Sequence, residues 1–95
     1  METIANATFL GPVGNLKEEK TKTGKPMLSF TLKTVKEING QKVALYHTIV
    51  AYSASAEAMR KYLHDGKVVF VDCDISKSIS PEERYQFVVK RFSFL

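Results

Sequence analysis

Between residues 45 and 73 the spacing of apolar side chains changes from a period of two to a period of about 3.6, and then returns to two. A β-strand, an α-helix and a second β-strand are therefore predicted in direct succession. Alternate side chains of the first strand point to opposite sides. One side carries Leu45, His47, Ile49 and Ala51, and the other carries Tyr46, Thr48, Val50 and Tyr52. Two tyrosines thus share one face of a single strand.

The helix of this unit is predicted from its capping residues. Ser53 and Ser55 have side chains that accept hydrogen bonds from the first free amides of a helix. Glu57 suits the positive end of the helix dipole, and Gly66 is predicted to end the helix in a left-handed conformation. Residues 68–73 form a short run rich in β-branched side chains, which predicts the return to strand.

The segment before this unit begins with a predicted strand and a loop. Residues 3–16 are rich in strand-forming side chains, and Gly11 and Gly14 predict a bulge or a sharp bend within them. Residues 17–25 are polar and end in a Gly-Lys-Pro turn signal, which predicts a loop. A bent first strand of this kind is typical of a barrel corner.

The remaining segments add two more strands. A strictly alternating strand begins at Met27, and an Asn39-Gly40 turn joins it to the strand of the tyrosines. Residues 76–83 predict a second polar loop, and residues 84–95 alternate again. The predicted fold is all-β, a five-stranded Greek-key barrel with one α-helix between strands 3 and 4, which is the order of the OB-fold.

Length and composition limit the chain to one folded unit. Its 95 residues suffice for one modest core, so residues 1–95 are predicted to form a single domain. The 14 Lys and Arg against 10 Asp and Glu give a net charge of +4, which is compatible with an anionic partner. The chain starts without a signal-peptide pattern and has no membrane-length apolar run, so a cytoplasmic location is expected.

The residue types that usually carry catalysis do not form a constellation in this sequence. His47 and His64 lie on different elements, without cysteines or carboxylates at metal-ligand spacing. Cys73, the single cysteine, sits in an apolar strand, where a buried structural thiol is expected and a reactive thiolate is not. Asp72 and Asp74 are expected on the barrel exterior. We therefore predict a binding protein that needs neither a metal nor another cofactor.

Four groups of residues match the motif spacing of one protein family: Tyr46-His47-x-Ile49-Val50-x-Tyr52, Ala56-Glu57, Tyr62-Leu63-x-x-Gly66 and Val69-Phe70-Val71. In these groups the chain resembles the bacterial-type single-stranded DNA-binding proteins (SSBs), and the resemblance extends over almost the whole sequence. It implies an OB-fold that binds single-stranded DNA largely without sequence specificity, in DNA replication, recombination or repair.

The resemblance also implies which residues contact DNA. Tyr46 and Tyr52 stand where the family places two base-stacking aromatic rings, although alternation alone allows either ring to pack in the barrel core. Thr48 lies between them on the same face. Basic residues on or beside the flanking strands and loops are candidate phosphate contacts, namely Lys33, Lys36, Lys42, Lys77 and Arg84.

A homodimer or homotetramer is implied in the same way, because the family's barrels pair through their first strands. Asn6 and Thr8 of the first strand are therefore candidate interface residues. His47 matches a histidine that lies at a subunit interface in the family, and Phe70 is assigned to the interface because its family counterpart lies away from DNA. Tyr62, Phe92 and Phe94 are assigned to the core or to subunit contacts.

The sequence also departs from the family pattern. It contains no tryptophan, and Thr48, Ala54 and Asp65 stand where many members carry a positive charge. Fewer rings and fewer phosphate contacts predict micromolar affinity for short oligonucleotides and a shallow dependence on salt. If the chain ends at Leu95, it is expected to lack the acidic tip with which many members recruit partners.

Three alternatives share the predicted fold. The first is a primosomal replication-restart protein, which binds single strands and a helicase. The second, equally compatible, is a tailless variant from a plasmid, phage or other mobile element. The third is an OB-fold protein-interaction module with weak nucleic-acid binding, which the missing tryptophans and positive charges favour. Replacing Tyr46 and Tyr52 with alanine separates the interaction module from the DNA-binding alternatives, because only a stacking protein loses oligonucleotide binding while it keeps its fold.

Overall fold

The computed structural model describes residues 4–77 and 85–95, which form five strands and one helix. The elements are β1 (Asn6–Lys20), β2 (Pro26–Ile38), β3 (Gln41–Tyr52), α1 (Ser53–Arg60), β4 (Val68–Lys77) and β5 (Tyr85–Phe94). The strands close a barrel in the order β1-β2-β3-β5-β4. This confirms the predicted OB-fold, with its single helix between β3 and β4. In the described part of the chain, no helix has the length and apolar character needed to span a bilayer.

Strand β1 is long because it pairs with two neighbours in turn. Its first half pairs with β4 and its second half pairs with β2, both antiparallel. The strand continues to Lys20, so the prediction of a loop from residue 17 was wrong. The polar residues 17–20 pair with residues 26–29 of β2, and these cross-strand contacts outweigh their low strand propensity.

Gly11 lies where β1 passes from β4 to β2. A Cβ atom at this position would stand 2.1 Å from the backbone carbonyl oxygen of Lys33. Only glycine permits this close approach of two backbones. The tight turn between β2 and β3 has φ angles of 51° at Asn39 and 79° at Gly40, which confirms the predicted hairpin.

Alternation in the strands determines which residues fill the barrel. Leu28, Phe30 and Leu32 of β2 are all buried, as their spacing predicts. Phe92 and Phe94 pack against this core while partly buried, and Tyr62 is exposed. The other buried apolar residues are Val13, Ile49, Ala51, Ala56, Met59, Leu63, Val69, Val71, Cys73 and Val89.

The helix begins and ends differently from the prediction. Tyr52 occupies the N-cap position and no side chain caps the helix, so the predicted capping by Ser53 and Ser55 was wrong. The strand runs directly into the helix through Ser53, which has a φ of 53°. At the other end the helix stops at Arg60. Gly66 lies in a later turn, where its amide donates a hydrogen bond to the Val13 carbonyl at 2.8 Å.

Cys73 is buried as predicted, and burial raises the pKa of its thiol to about 12 from 9.0, with smaller contributions from the Asp72 and Asp74 carboxylates. The native state therefore keeps the proton above pH 9, whereas the unfolded state releases it. We expect this difference to lower the free energy of unfolding by about 1.4 kcal/mol per pH unit above pH 9. In a Cys73→Ala variant the free energy of unfolding should fall less steeply with pH. Denaturant titrations of both proteins between pH 8 and 10.5 measure this difference. Equal slopes would contradict it.

Candidate nucleic-acid interface

The two tyrosines of β3 lie on the outer surface of the barrel. Tyr46 is 67% exposed, and Tyr52 is half-buried. The Tyr52 hydroxyl donates a hydrogen bond to Oε1 of Gln86 at 3.2 Å, which ties its ring to β5. Thr48 is exposed between the tyrosines. Neither ring belongs to the barrel core, so both can be reached from outside.

Strand β2 places polar side chains beside these tyrosines. Lys33 lies directly opposite Tyr46, and Thr31 lies opposite Thr48. Opposite residues of an antiparallel pair have Cβ atoms only about 5 Å apart, so the Lys33 side chain and the Tyr46 ring lie side by side. We call the outward surface of β1, β2 and β3 around these residues the β1–β3 face.

The two lysines nearer the hairpin turn lie on opposite sides of the β2–β3 ribbon. Lys42 shares the side of Tyr46 and faces Glu37, a carboxylate that offsets its charge. Lys36 faces Val43, and strand alternation puts this pair on the other side of the ribbon. The structure therefore brings Lys42 onto the side of the tyrosines and does not bring Lys36 there.

Of the two predicted contacts from the second half of the chain, the structure describes Lys77. Lys77 ends β4 opposite Tyr85, one residue pair from Gln86, which Tyr52 contacts. Strand alternation puts the side chains of Lys77 and Gln86 on opposite sides of the sheet, so the structure does not bring Lys77 onto the β1–β3 face. Arg84 lies outside the described residues.

A β-bulge in β1 adds residues that the sequence analysis missed. The register of β1 against β2 shifts between Gly14 and Lys17, and Asn15 has a φ of 52°. The bulge borders a depression of about 250 Å³, which Asn15 lines together with Thr31, Lys33 and Tyr46. A second depression of about 460 Å³ is lined by Asn15, Lys17, Thr31 and Thr48. The bulge itself confirms the prediction from Gly11 and Gly14, whereas the role of Asn15 in the lining was not predicted.

A third depression lies at the Tyr52 end of the face. It has a volume of about 560 Å³, and its lining includes Lys20, Lys22, Met27, Tyr52 and Gln86. The two lysines were not predicted as contacts, because residues 17–25 were interpreted only as a polar loop. The three depressions together line the β1–β3 face from Tyr46 to Tyr52 with apolar walls and ammonium groups.

A second outward surface is formed by β1 and β4. Asn6 lies opposite Asp74, Thr8 opposite Asp72, and Leu10 opposite Phe70; we call this surface the β1–β4 face. Leu10 is 53% exposed and Phe70 38% exposed, so the face has an apolar centre. Asn6, Thr8 and Phe70, three of the predicted interface residues, are thus brought together. Leu10 was missed, although it follows Thr8 in the alternation.

His47, the fourth predicted interface residue, lies elsewhere. It is on the inward side of β3, where its ring centroid is 4.6 Å from that of Phe9. A hydrogen bond of 2.8 Å joins its Nε2 to the Thr34 hydroxyl. The structure therefore does not bring His47 onto the β1–β4 face, because strand alternation separates inward from outward residues.

An ion pair crosses the β4–β5 side of the barrel next to the β1–β4 face. Nη2 of Arg91 donates to Oδ2 of Asp72 at 2.6 Å, and the Thr8 hydroxyl donates to Oδ1 at 3.4 Å. The hydrogen bond from Arg91 lowers the pKa of the Asp72 carboxyl below its usual 3.8, against the opposing effect of burial. The exposed pair of Lys90 and Asp74 lies beside it at 3.4 Å.

The Asp72 carboxylate is expected to make the stability of the protein depend on pH in the acid range. Because the pKa of Asp72 is lowered by folding, the charged carboxylate stabilises the native state above pH 3.8, and this contribution is lost as the pH falls through the lowered value. Asp72→Asn is therefore expected to lower the melting temperature at pH 7, and its difference from the wild type is expected to shrink as the pH falls below 3.8. Thermal unfolding between pH 2 and 7 measures this. Asp74→Asn, which breaks an exposed pair, is the control with little expected effect. A constant gap for Asp72→Asn would contradict the prediction.

Comparison with known proteins agrees with the fold that carries this site. The single-strand binding protein family matches residues 4–93. This chain belongs to that family. Proteins of the single-strand binding family bind DNA without catalysing a reaction, so this family member is a binding protein and not an enzyme. A search of curated proteins found no match.

Solved structures show the same fold as this single-strand binding family member at low sequence identity. The mitochondrial single-stranded DNA-binding protein Rim1 of S. cerevisiae has a TM-score of 0.80 at 16% identity, over 99% of this chain and 96% of that one. PriB of Ralstonia solanacearum has a TM-score of 0.77 at 10% identity, over 97% and 98%. A deletion mutant of the Thermus aquaticus single-stranded DNA-binding protein has a TM-score of 0.70 at 18% identity, over 95% of this chain and 49% of that one.

Proposed function

We propose that this barrel binds single-stranded DNA on its β1–β3 face, largely without sequence specificity. The observation that carries the proposal is the pair of accessible tyrosines, Tyr46 and Tyr52, on one outward strand face lined by lysines. Aromatic rings along a basic surface are how proteins bind single strands independently of sequence, since every base offers a face for stacking. Duplex DNA hides those faces and is expected to bind poorly.

Phosphate contacts are assigned to the ammonium groups around the rings. Lys33 stands beside Tyr46, and Lys20 and Lys22 line the depression at Tyr52. Lys17 lines the depression between them. We include Lys42 and Arg84 as peripheral contacts and give Lys36 and Lys77 no role on this face. Each phosphate contact contributes about 0.7 to the slope of log K against log salt for a single strand.

The proposed affinity is micromolar for short oligonucleotides. Two tyrosines contribute about 1 to 3 kcal/mol for each stacked base, and the face offers no tryptophan. Glu37 lies opposite Lys42, and Glu19 lines the Tyr52 depression, so part of the positive charge is neutralised. A weak, salt-dependent complex is therefore expected for one barrel.

Fluorescence anisotropy of a labelled oligo-dT of about 35 nucleotides tests the proposal. The titration is run at two salt concentrations, and unlabelled duplex DNA serves as competitor. We expect binding that weakens with salt and that duplex DNA does not displace. Absence of binding at low salt would refute the proposal, as would equal competition by duplex.

Oligomeric assembly is a property of the family, and we propose that this chain forms a homodimer or homotetramer through its β1–β4 face. The exposed Leu10 and Phe70 lie side by side there, with Asn6 and Thr8 along the same strand. Leu10→Glu introduces a charge at the apolar centre and is expected to give the monomer mass of 10.7 kDa by light scattering. Leu45→Glu, at another exposed leucine, is the control; dissociation by both variants, or by neither, would contradict the proposed interface.

We further propose that residues 1–95 form a single domain, and that the protein is cytoplasmic and acts in DNA replication, recombination or repair, with a helicase or another replication protein as a partner. Family resemblance supports these assignments. Affinity purification of the tagged full chain from its own cells tests the partner, with the Tyr46→Ala variant present to separate direct contacts from those bridged by DNA. Recovery of no replication protein would contradict this part of the proposal.

A further inference from the structure

The depression at the β1 bulge is lined in part by neutral polar side chains, which neither the barrel fold nor base stacking requires. One wall is the Tyr46 ring, and another is the apolar Pro12-Val13 segment of β1. Asn15 and Thr31 contribute a neutral amide and a neutral hydroxyl to the lining. Asn15 is exposed and makes no side-chain hydrogen bond within the described residues.

The chemistry of this lining fits a nucleobase better than a phosphate. A phosphate is held by cations, and Lys33 is the one cationic side chain in the lining of this depression. An amide and a hydroxyl each offer both a donor and an acceptor, and these match the edge of a base. The volume of about 250 Å³ lies below the ~300–1,000 Å³ of sites for drug-sized ligands, so the depression suits a single base.

We infer that this depression is a nucleobase subsite, in which a base stacks on Tyr46 while Asn15 and Thr31 hydrogen-bond to its edge. The inference rests on the proposed binding of single-stranded DNA at the β1–β3 face and deepens it. Lys33 holds the phosphate next to that base. The bulge has a function in this proposal, because in a regular strand Asn15 would lie opposite the buried Phe30 and its side chain would point into the barrel.

Two variants remove the hydrogen-bonding groups with little change to the backbone. Asn15→Gly keeps a residue that tolerates the φ of 52° and deletes the amide. Thr31→Val keeps the shape and the strand propensity of threonine and deletes the hydroxyl. Asn39→Gly is the matched control, since Asn39 has nearly the same φ, 51°, but lies at the hairpin turn and does not line this depression.

Each protein is titrated with oligo-dT and with an oligonucleotide of the same length in which every base is absent. Asn15→Gly and Thr31→Val are each expected to lower the affinity for oligo-dT about 3- to 10-fold, as for loss of one hydrogen bond. The salt slope should stay the same, since no phosphate contact is lost. Affinity for the abasic oligonucleotide should not change, and Asn39→Gly should match the wild type with both.

The outcomes separate the subsite from the proposed function. If the wild type binds oligo-dT and both variants bind it equally well, the subsite is refuted while the function stands. Equal losses with oligo-dT and the abasic oligonucleotide would also refute it, because these residues would then contact the backbone or support the fold. If the wild type itself does not bind oligo-dT, the proposed function is refuted, and the subsite is refuted with it.

Discussion

Replacement of Gly11 with alanine is expected to destabilise the barrel by about 3 kcal/mol, the upper range for overpacking. The added Cβ atom would lie 2.1 Å from the carbonyl oxygen of Lys33, and a backbone atom cannot move aside as a flexible side chain does. Strand β1 would have to shift where it passes from β4 to β2. Denaturant unfolding followed by circular dichroism measures the loss.

Gly14→Ala is the matched control for this substitution. Gly14 lies three residues along the same strand, and a Cβ atom there would meet nothing within 4 Å. Its φ is not positive, so alanine is expected to change the free energy of unfolding by no more than about 0.5 kcal/mol. A similar stability for both variants would contradict the assignment of Gly11 as the crossing point of the barrel.

Tyr46→Ala is expected to weaken the binding of oligo-dT by about 1 to 3 kcal/mol, or roughly 5- to 150-fold. The ring is 67% exposed on the β1–β3 face, so its removal deletes a stacking surface and leaves no cavity in the core. The melting temperature should therefore stay close to that of the wild type. Anisotropy titration and thermal unfolding of the same samples measure both effects.

Tyr62→Ala is the control for this prediction. Tyr62 is 63% exposed but follows the helix, and its ring contacts Phe94, away from the β1–β3 face. Its loss should leave DNA affinity unchanged. Equal weakening by the two substitutions would show that binding is not localised at Tyr46. Unfolding of Tyr46→Ala would show that the ring is structural.

Alternation of apolar and polar residues made most of the fold predictable. Leu28, Phe30 and Leu32 point inward because a strand places every second side chain in the core, and the sequence shows this period directly. The Asn39-Gly40 turn was predictable because few other dipeptides adopt its φ angles at low cost. These features depend on local sequence alone.

Features that depend on tertiary contacts were not predictable. Ser53 and Ser55 have the right side chains for capping, but the strand enters the helix directly and leaves Tyr52 at the cap position. The polar residues 17–20 remain in β1 because β2 pairs with them. Gly11 and Gly14 predicted a bulge in β1, but which side chain it turns outward depends on the register shift between β1 and β2, so Asn15 was not predicted as a site residue. The faces of Lys36 and His47, by contrast, follow from strand alternation.

The central claim is that single-stranded DNA lies on the β1–β3 face, and a titration of ¹⁵N-labelled protein with oligo-dT tests it most directly. Backbone amide shifts are expected to concentrate at residues 14–17, 31–33 and 46–52. The amides around Leu10 and Phe70 on the β1–β4 face should move little. Shifts centred on the β1–β4 face, or spread evenly around the barrel, would contradict the account.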